Sequence, residues 1–220
     1  MLAHDAGGFE MKHTSYPITR DPRTGVQLRI GVMGSAGGRM SRRVEETCRR
    51  LGRVIAERGC CLLTGACPGL PHEVVLGAKS ANGHVVGVSP GVNLKEHVGV
   101  FKSPYKEYEV LIFTGMGLMG RELINIHSSD IVIIIGGRSG TLGEFSIAYE
   151  SGKLIGVLKG MGGISGVISS LQSKMRKETG AQVIYESQPE RLINRLLTRY
   201  LSGKYACTCL PDSIKRRRLT

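Results

Sequence analysis

The chain has no tryptophan and few other aromatics, four Phe and seven Tyr in 220 residues. A protein that reads nucleic acid by stacking bases on aromatic platforms is therefore disfavoured. Long apolar runs are also missing. The longest strongly apolar run is Ile131-Val132-Ile133-Ile134-Ile135, and a membrane helix needs roughly 20 such residues. The first 25 residues hold no apolar stretch of the kind that directs secretion. The cysteines, Cys48, Cys60, Cys61, Cys67, Cys207 and Cys209, form no C-x-x-C pair and no secreted-domain spacing. A reduced, cytoplasmic setting is expected. Glycine is plentiful at 31 residues but has no Gly-x-y period, which excludes collagen.

Acidic residues are outnumbered, 18 against 30 Lys and Arg, for a net charge of +12. Part of the excess is a C-terminal tail in which Lys215, Arg216, Arg217 and Arg218 are opposed by Asp212 alone. Another part is a segment crowded with Arg39, Arg42, Arg43, Arg49, Arg50 and Arg53, relieved only by Glu45 and Glu46. A basic balance suits anionic partners, whether phosphorylated metabolites or nucleic acid, although a solvated helix face plus a loose tail gives the same composition.

What is present alternates between short apolar runs and helical patterns. Strands are expected at 28–33, 60–64, 84–88, 110–113, 131–135, 154–158 and 183–185. Between the first two, Val44, Cys48, Leu51, Val54 and Ile55 recur in steps of three and four, which predicts an amphipathic helix ending at Gly59. Further helices are expected up to about Asn82, up to about Ser128, from Thr141 to Ser151, over 163–177 and over 189–201, with 89–108 irregular. Near-continuous apolar strands joined through helices predict a single doubly wound, mostly parallel α/β sheet, Rossmann-like, with helices on both faces. Residues 1–27 form a polar arm, 28–202 the domain and 203–220 a basic tail. Ligands of such sheets sit outside the carboxyl ends of the strands, so the loops after strands one, two, four and five should line one crevice.

The first loop, Gly31-x-x-Gly34-Ser35-x-Gly37-Gly38, is not G-x-G-x-x-G, and no Asp or Glu follows Leu63-Thr64-Gly65 to hold a ribose. A standard dinucleotide site is disfavoured, and no G-x-x-x-x-G-K-[ST] string occurs. Gly34 and Ser35 serve equally as a steric turn or a phosphate contact. The loop after strand five is more informative: Gly136-Gly137-Arg138-Ser139-Gly140-Thr141-Leu142-Gly143-Glu144. Its glycines let backbone approach an anion, the next helix begins with unpaired N–H groups, Ser139 and Thr141 add hydroxyls, and Arg138 adds a charged fork. Thr141-x-x-Glu144 is also the spacing of a capping box, which would fold Glu144 back onto a backbone N–H. Arg121 follows Gly115-Met116-Gly117-Leu118-Met119-Gly120 early in its helix. It is either a surface residue or one that reaches an anion presented by the neighbouring loop.

Arg121-x8-Asp130, five apolar residues and Gly136-Gly137-x-x-Gly140-Thr141-x-x-Glu144 together resemble the Lonely Guy family of nucleotide phosphoribohydrolases. Thr114-Gly115-Met116-Gly117 is closer to a sister branch, the molybdenum-cofactor carrier proteins. Gly65 to Leu70 and Gly83-x-Val85-Val86-Gly87-Val88-x-Pro90 resemble both branches, and the similarity covers roughly residues 28–200. It implies Arg121 and Glu144 as the catalytic pair. It also implies a nucleotide site built from Gly34, Ser35, Gly65, Gly117, Gly136, Gly137, Arg138, Ser139, Gly140 and Thr141. Gly136 stands where the family has Pro, and Arg138 where it has a second Gly.

The implied activity is cleavage of the N-glycosidic bond of a purine-type nucleoside 5′-monophosphate to free base and ribose 5-phosphate. The alternative is a non-catalytic carrier of a phosphorylated pterin or nucleotide; a nucleic-acid binder using the Arg-rich helix and tail is the remote third. No metal or other cofactor is implied, since His72, His84, His97 and His127 have no ligand spacing and no pyridoxal-lysine context is visible. The resemblance implies a homodimer or larger homo-oligomer.

Overall fold

Strand β5, Ile131–Ile135, is buried along its whole length. Its side chains alternate between two cores, with Ile131, Ile133 and Ile135 in one and Val132 and Ile134 in the other, as the two-residue period of a strand requires. The structure, a computed structural model, describes residues 16–175, 177–203 and 205. The first 15 residues, the Cys207-x-Cys209 pair and the basic run after it lie outside the described residues.

In chain order the remaining elements are β1 (Arg29–Gly34), α1 (Arg42–Glu57), β2 (Cys61–Thr64), α2 (Leu70–Ser80), β3 (Val85–Ser89), α3 (Leu94–Gly99), β4 (Val110–Phe113) and α4 (Gly117–Ser128), all before β5. After it come α5 (Ser139–Glu150), β6 (Leu154–Leu158), a 3-10 turn (Gly163–Gly166), α6 (Ile168–Met175), β7 (Gln182–Glu186) and α7 (Pro189–Leu201). The seven strands form one sheet in the order β4-β3-β2-β1-β5-β6-β7. Every pairing is parallel, so the sheet is wholly rather than mostly parallel. One core packs α1, α2 and α7 residues on the sheet, and the other packs α4, α5 and α6 residues on its opposite face.

Local chemistry explains the element ends. Ser41 caps α1 by accepting from the Val44 N–H, and Gly59 (φ +64°) ends the turn after it. The stretch 89–108, expected to be irregular, contains α3. Asn93 Oδ1 accepts from Glu96 N (3.0 Å) and Glu96 Oε2 from Val92 N (2.7 Å), so reciprocal capping holds six residues that have no apolar periodicity. The helix expected over 163–177 is divided at Val167 into the 3-10 turn and α6, and Gly162 and Gly163 (φ +69° and +57°) lead the chain into the 3-10 turn. Part of the polar arm sits on the domain. Thr19 N donates to Gly59 O, Leu28 N to Thr19 O, and Asp21 is buried beneath Arg23 and Tyr200.

The strand order reverses between β1 and β5. The chain runs outward through β2 to β4 and then returns to β5 on the other side of β1. Loops leaving β1 and β5 diverge there, which opens a crevice at the carboxyl edge.

Candidate functional site

That crevice holds a cavity of about 500 Å³. The β1 loop contributes Gly34, Ser35 and Gly37, the β2 loop Gly65 and Cys67, α4 Leu118, Arg121 and Glu122, and the start of α5 Arg138, Ser139, Gly140, Thr141 and Glu144. The expectation that the loop after β4 lines the crevice is not met. Thr114 and Gly115 are tied to Ser89 and Gly91, and Gly117 N donates to Pro90 O. It is α4 that reaches the cavity, one turn further on, and Gly117 itself does not line it.

The turn into α5 is fixed from behind. Gly136 and Gly137 have φ of +56° and +94°, a region that favours glycine. Their carbonyls accept from Ser165 N (3.0 Å) and Ile164 N (2.9 Å), and Gly136 N donates to Ser165 Oγ (3.1 Å). Neither residue lines the cavity; both shape the turn that does. Helical bonding begins with Leu142 N to Arg138 O (3.0 Å). The N–H groups of Ser139, Gly140 and Thr141 are thus the open first-turn donors. Three open donors at the positive end of a helix are chemistry suited to an anion.

No capping box forms. The helix starts at Ser139, so Thr141 lies inside its first turn and no side chain caps it. Glu144 instead lies buried in the cavity wall, 6% exposed, opposite Arg121 at 5%. Arg121 Nη1 and Glu144 Oε1 are 3.7 Å apart, and Arg121 Nε is buried with no hydrogen-bond partner. Gly65 creates the berth for this arginine, since a Cβ there would meet Nη1 at 1.9 Å and Cζ at 2.3 Å. Gly34 has a comparable role, because its Cβ would meet Ile135 O at 2.5 Å. Burial pushes the Glu144 carboxyl up to about 8; Arg121 opposes this and Glu122 adds to it. Burial thus outweighs the guanidinium and favours the protonated form of the acid.

Arg138 lines the cavity. Its guanidinium crosses to the β1 loop, where Nη2 donates to Gly37 O at 2.9 Å. Sequence reasoning missed two polar residues of the cavity. Cys67 follows β2 at the carboxyl edge, and burial raises its thiol pKa while Arg121 lowers it. Glu122 sits beside Arg121, and the only available signal was adjacency. The Arg-rich segment is partly committed elsewhere. Arg49 pairs with Glu73 (2.7 Å) and Arg50 with Glu190 (2.8 Å).

A Rossmann-like sheet with open helix N–H groups at its topological switch point, faced by a buried Arg and acid, has its cleft where open α/β sheets receive their ligands. The chain belongs to the SLOG cluster4 family, whose profile matches residues 27–193. It falls in the superfamily that holds the Lonely Guy and molybdenum-cofactor carrier proteins. It is similar to an uncharacterised protein of Archaeoglobus fulgidus, 35% identical over 132 residues that span 60% of this chain and 80% of that one. It is similar to the crystal structure of TM1055, with TM-score 0.69 and 25% identity over 78% of this chain and 99% of that one. It is also similar to the molybdenum cofactor binding protein from Rippkaea orientalis, with TM-score 0.63 and 30% identity over 78% of this chain and 96% of that one. Among the described residues no helix is long and apolar enough to cross a membrane.

Proposed function

We propose that the chain is a phosphoribohydrolase acting on a purine-type nucleoside 5′-monophosphate. The observation that carries this reading is the buried Arg121–Glu144 pair beside the open N–H groups of α5. The 5′-phosphate occupies those N–H groups, which fixes the sugar against the pair. Glu144, protonated at neutral pH, donates its proton to a ring nitrogen of the departing base as the bond to C1′ lengthens. An oxocarbenium-like sugar forms, water adds at C1′, and the water's proton returns to the Glu144 carboxylate. The products are free base and ribose 5-phosphate. Arg121, with its partnerless Nε, holds a ligand oxygen and positions Glu144. Incubation with AMP and adenine-modified analogues tests the reaction. Free base appears with the wild type and not with Glu144→Gln; its absence with the wild type rejects the reaction.

A second reading rests on the 30% identity to the R. orientalis cofactor-binding protein. Here the same cleft carries a phosphorylated pterin without turnover. Tight binding with no bond cleavage would favour it.

We also propose that the working form is a homodimer closed over β4 and α4. Strand β4 is the sheet edge, with Val110, Ile112 and Phe113 exposed. On α4, Met119 (82% exposed) and Leu123 present a second apolar strip at a four-residue spacing. An uncovered apolar edge of a parallel sheet calls for a cover of the same chemistry, and a second copy supplies it. Leu118 belongs both to the exposed apolar set and to the cavity lining, so the partner would sit beside the cleft mouth.

A further inference from the structure

Glu122 is out of keeping with an anion site. Its half-buried carboxylate lines the same cavity as the α5 donors, yet makes no hydrogen bond or ion pair with any described residue. Its place is well defined. The first turns of α5 carry Gly140 and Gly143, three residues apart, and these open a bare strip on the helix. Glu122 Oε1 lies 3.6 Å from where a Gly140 Cβ would be, and Oε2 lies 3.6 Å from the corresponding point at Gly143. The carboxylate therefore faces the flank of the helix whose end forms the anion seat. Its neighbour Arg121 is turned away toward Gly65 and Glu144.

A carboxylate beside a phosphate seat repels the phosphate. Leaving it half-buried and unpaired adds a desolvation cost. Both costs are offset if the ligand brings hydroxyl donors to this point. An ionised carboxylate is acceptor-only, with two oxygens that match a pair of adjacent hydroxyls. In a ligand held by its 5′-phosphate, the groups of that kind next along the molecule are the 2′- and 3′-hydroxyls of ribose. Resting on the phosphate-first reading of the cleft, we propose that Glu122 accepts hydrogen bonds from the ribose diol and makes the site selective for ribo- over 2′-deoxyribonucleotides. A site built to pair with a hydroxyl rejects the analogue that lacks it, because its own polar group is then left buried and unpaired. Glu122 is then a specificity residue that makes no hydrogen bond to the Arg121–Glu144 pair, and binding of the sugar phosphates reads it apart from the chemistry.

Calorimetric binding of ribose 5-phosphate and 2-deoxyribose 5-phosphate to the full chain tests this, since neither sugar phosphate has a bond to the base left to cleave. The wild type is expected to prefer the ribose form by at least about tenfold, the range of one charge-assisted hydrogen bond. Glu122→Ala should bring the two affinities within about twofold of each other, whatever common shift the lost repulsion of the phosphate adds to both. Glu122→Gln, which keeps one acceptor oxygen and loses the charge, should fall between. Equal wild-type affinities for the two sugars, or a preference that survives Glu122→Ala, overturns the proposal and leaves the phosphate seat standing. Failure of the wild type to bind either sugar phosphate overturns the seat and this proposal together.

Discussion

Arg121 and Glu144 meet across the cleft from two different helices, Nη1 to Oε1 at 3.7 Å, and neither side chain is open to water. Burial acts more strongly on the acid than the cation does, so the carboxyl is raised from 4.5 to about 8. Between those two values the folded chain keeps a proton that the unfolded chain has released. The associated stability is complete below the unfolded value and is lost as pH rises through about 8. Glu144→Gln has no such loss. The melting temperature of the variant minus that of the wild type should therefore grow between about pH 5 and about pH 9, by roughly 2–4 °C for each kcal/mol in a chain of this size. A constant difference would contradict the assignment.

Gly65 is expected to be as sensitive as the pair itself. A methyl group at this position lies inside the Arg121 guanidinium, and the glycine has no positive φ to forbid alanine. Gly65→Ala should fold, displace Arg121 and leave Glu144 without its cation. Base release from AMP should fall at least about tenfold, the scale of one lost charged contact in the reacting complex. Full activity in a folded Gly65→Ala protein would show that the arginine is dispensable.

Ser165 supports the turn from outside the cleft. Its hydroxyl accepts from Gly136 N at 3.1 Å and donates to Gly162 O at 2.8 Å. Ser165→Ala leaves the buried Gly136 N–H unpaired, at a cost of about 1–3 kcal/mol. Thermal unfolding should begin several degrees lower, and AMP affinity should drop as the turn loosens. An unchanged melting temperature would contradict this role.

The apolar edge makes a prediction about assembly. Met119→Arg together with Leu123→Arg puts charge on an exposed strip without touching the core. Sedimentation should show a dimer for the wild type and a monomer for the double variant. A monomeric wild type would contradict the homodimer.

Much of this architecture was legible because the apolar pattern matched the burial. The three- and four-residue steps of α1, the Ile131–Ile135 run and the helix over 189–201 read directly as elements. The Gly-rich β5 loop and Arg121 were legible as candidates from residue type and position. Other features depend on tertiary geometry that spacing does not encode. Thr141-x-x-Glu144 fits a capping box, yet the helix begins at Ser139, and this shift turns Glu144 into the cleft. Gly65 reads as a loop glycine until Arg121 is placed against it. Gly117 lies on α4 but is tied to Pro90, away from the cavity. Glu122 and Cys67 are drawn in by neighbours far along the chain, and no local pattern marks either one.

The claim on which the rest depends is that the first turn of α5 receives the phosphate. Amide nitrogen and proton shifts during titration with AMP test it residue by residue. The N–H signals of Ser139, Gly140 and Thr141 should move downfield together and saturate with a single affinity, and ribose 5-phosphate should reproduce the effect. Saturable binding that leaves those three amides unmoved while shifting signals elsewhere would contradict the account.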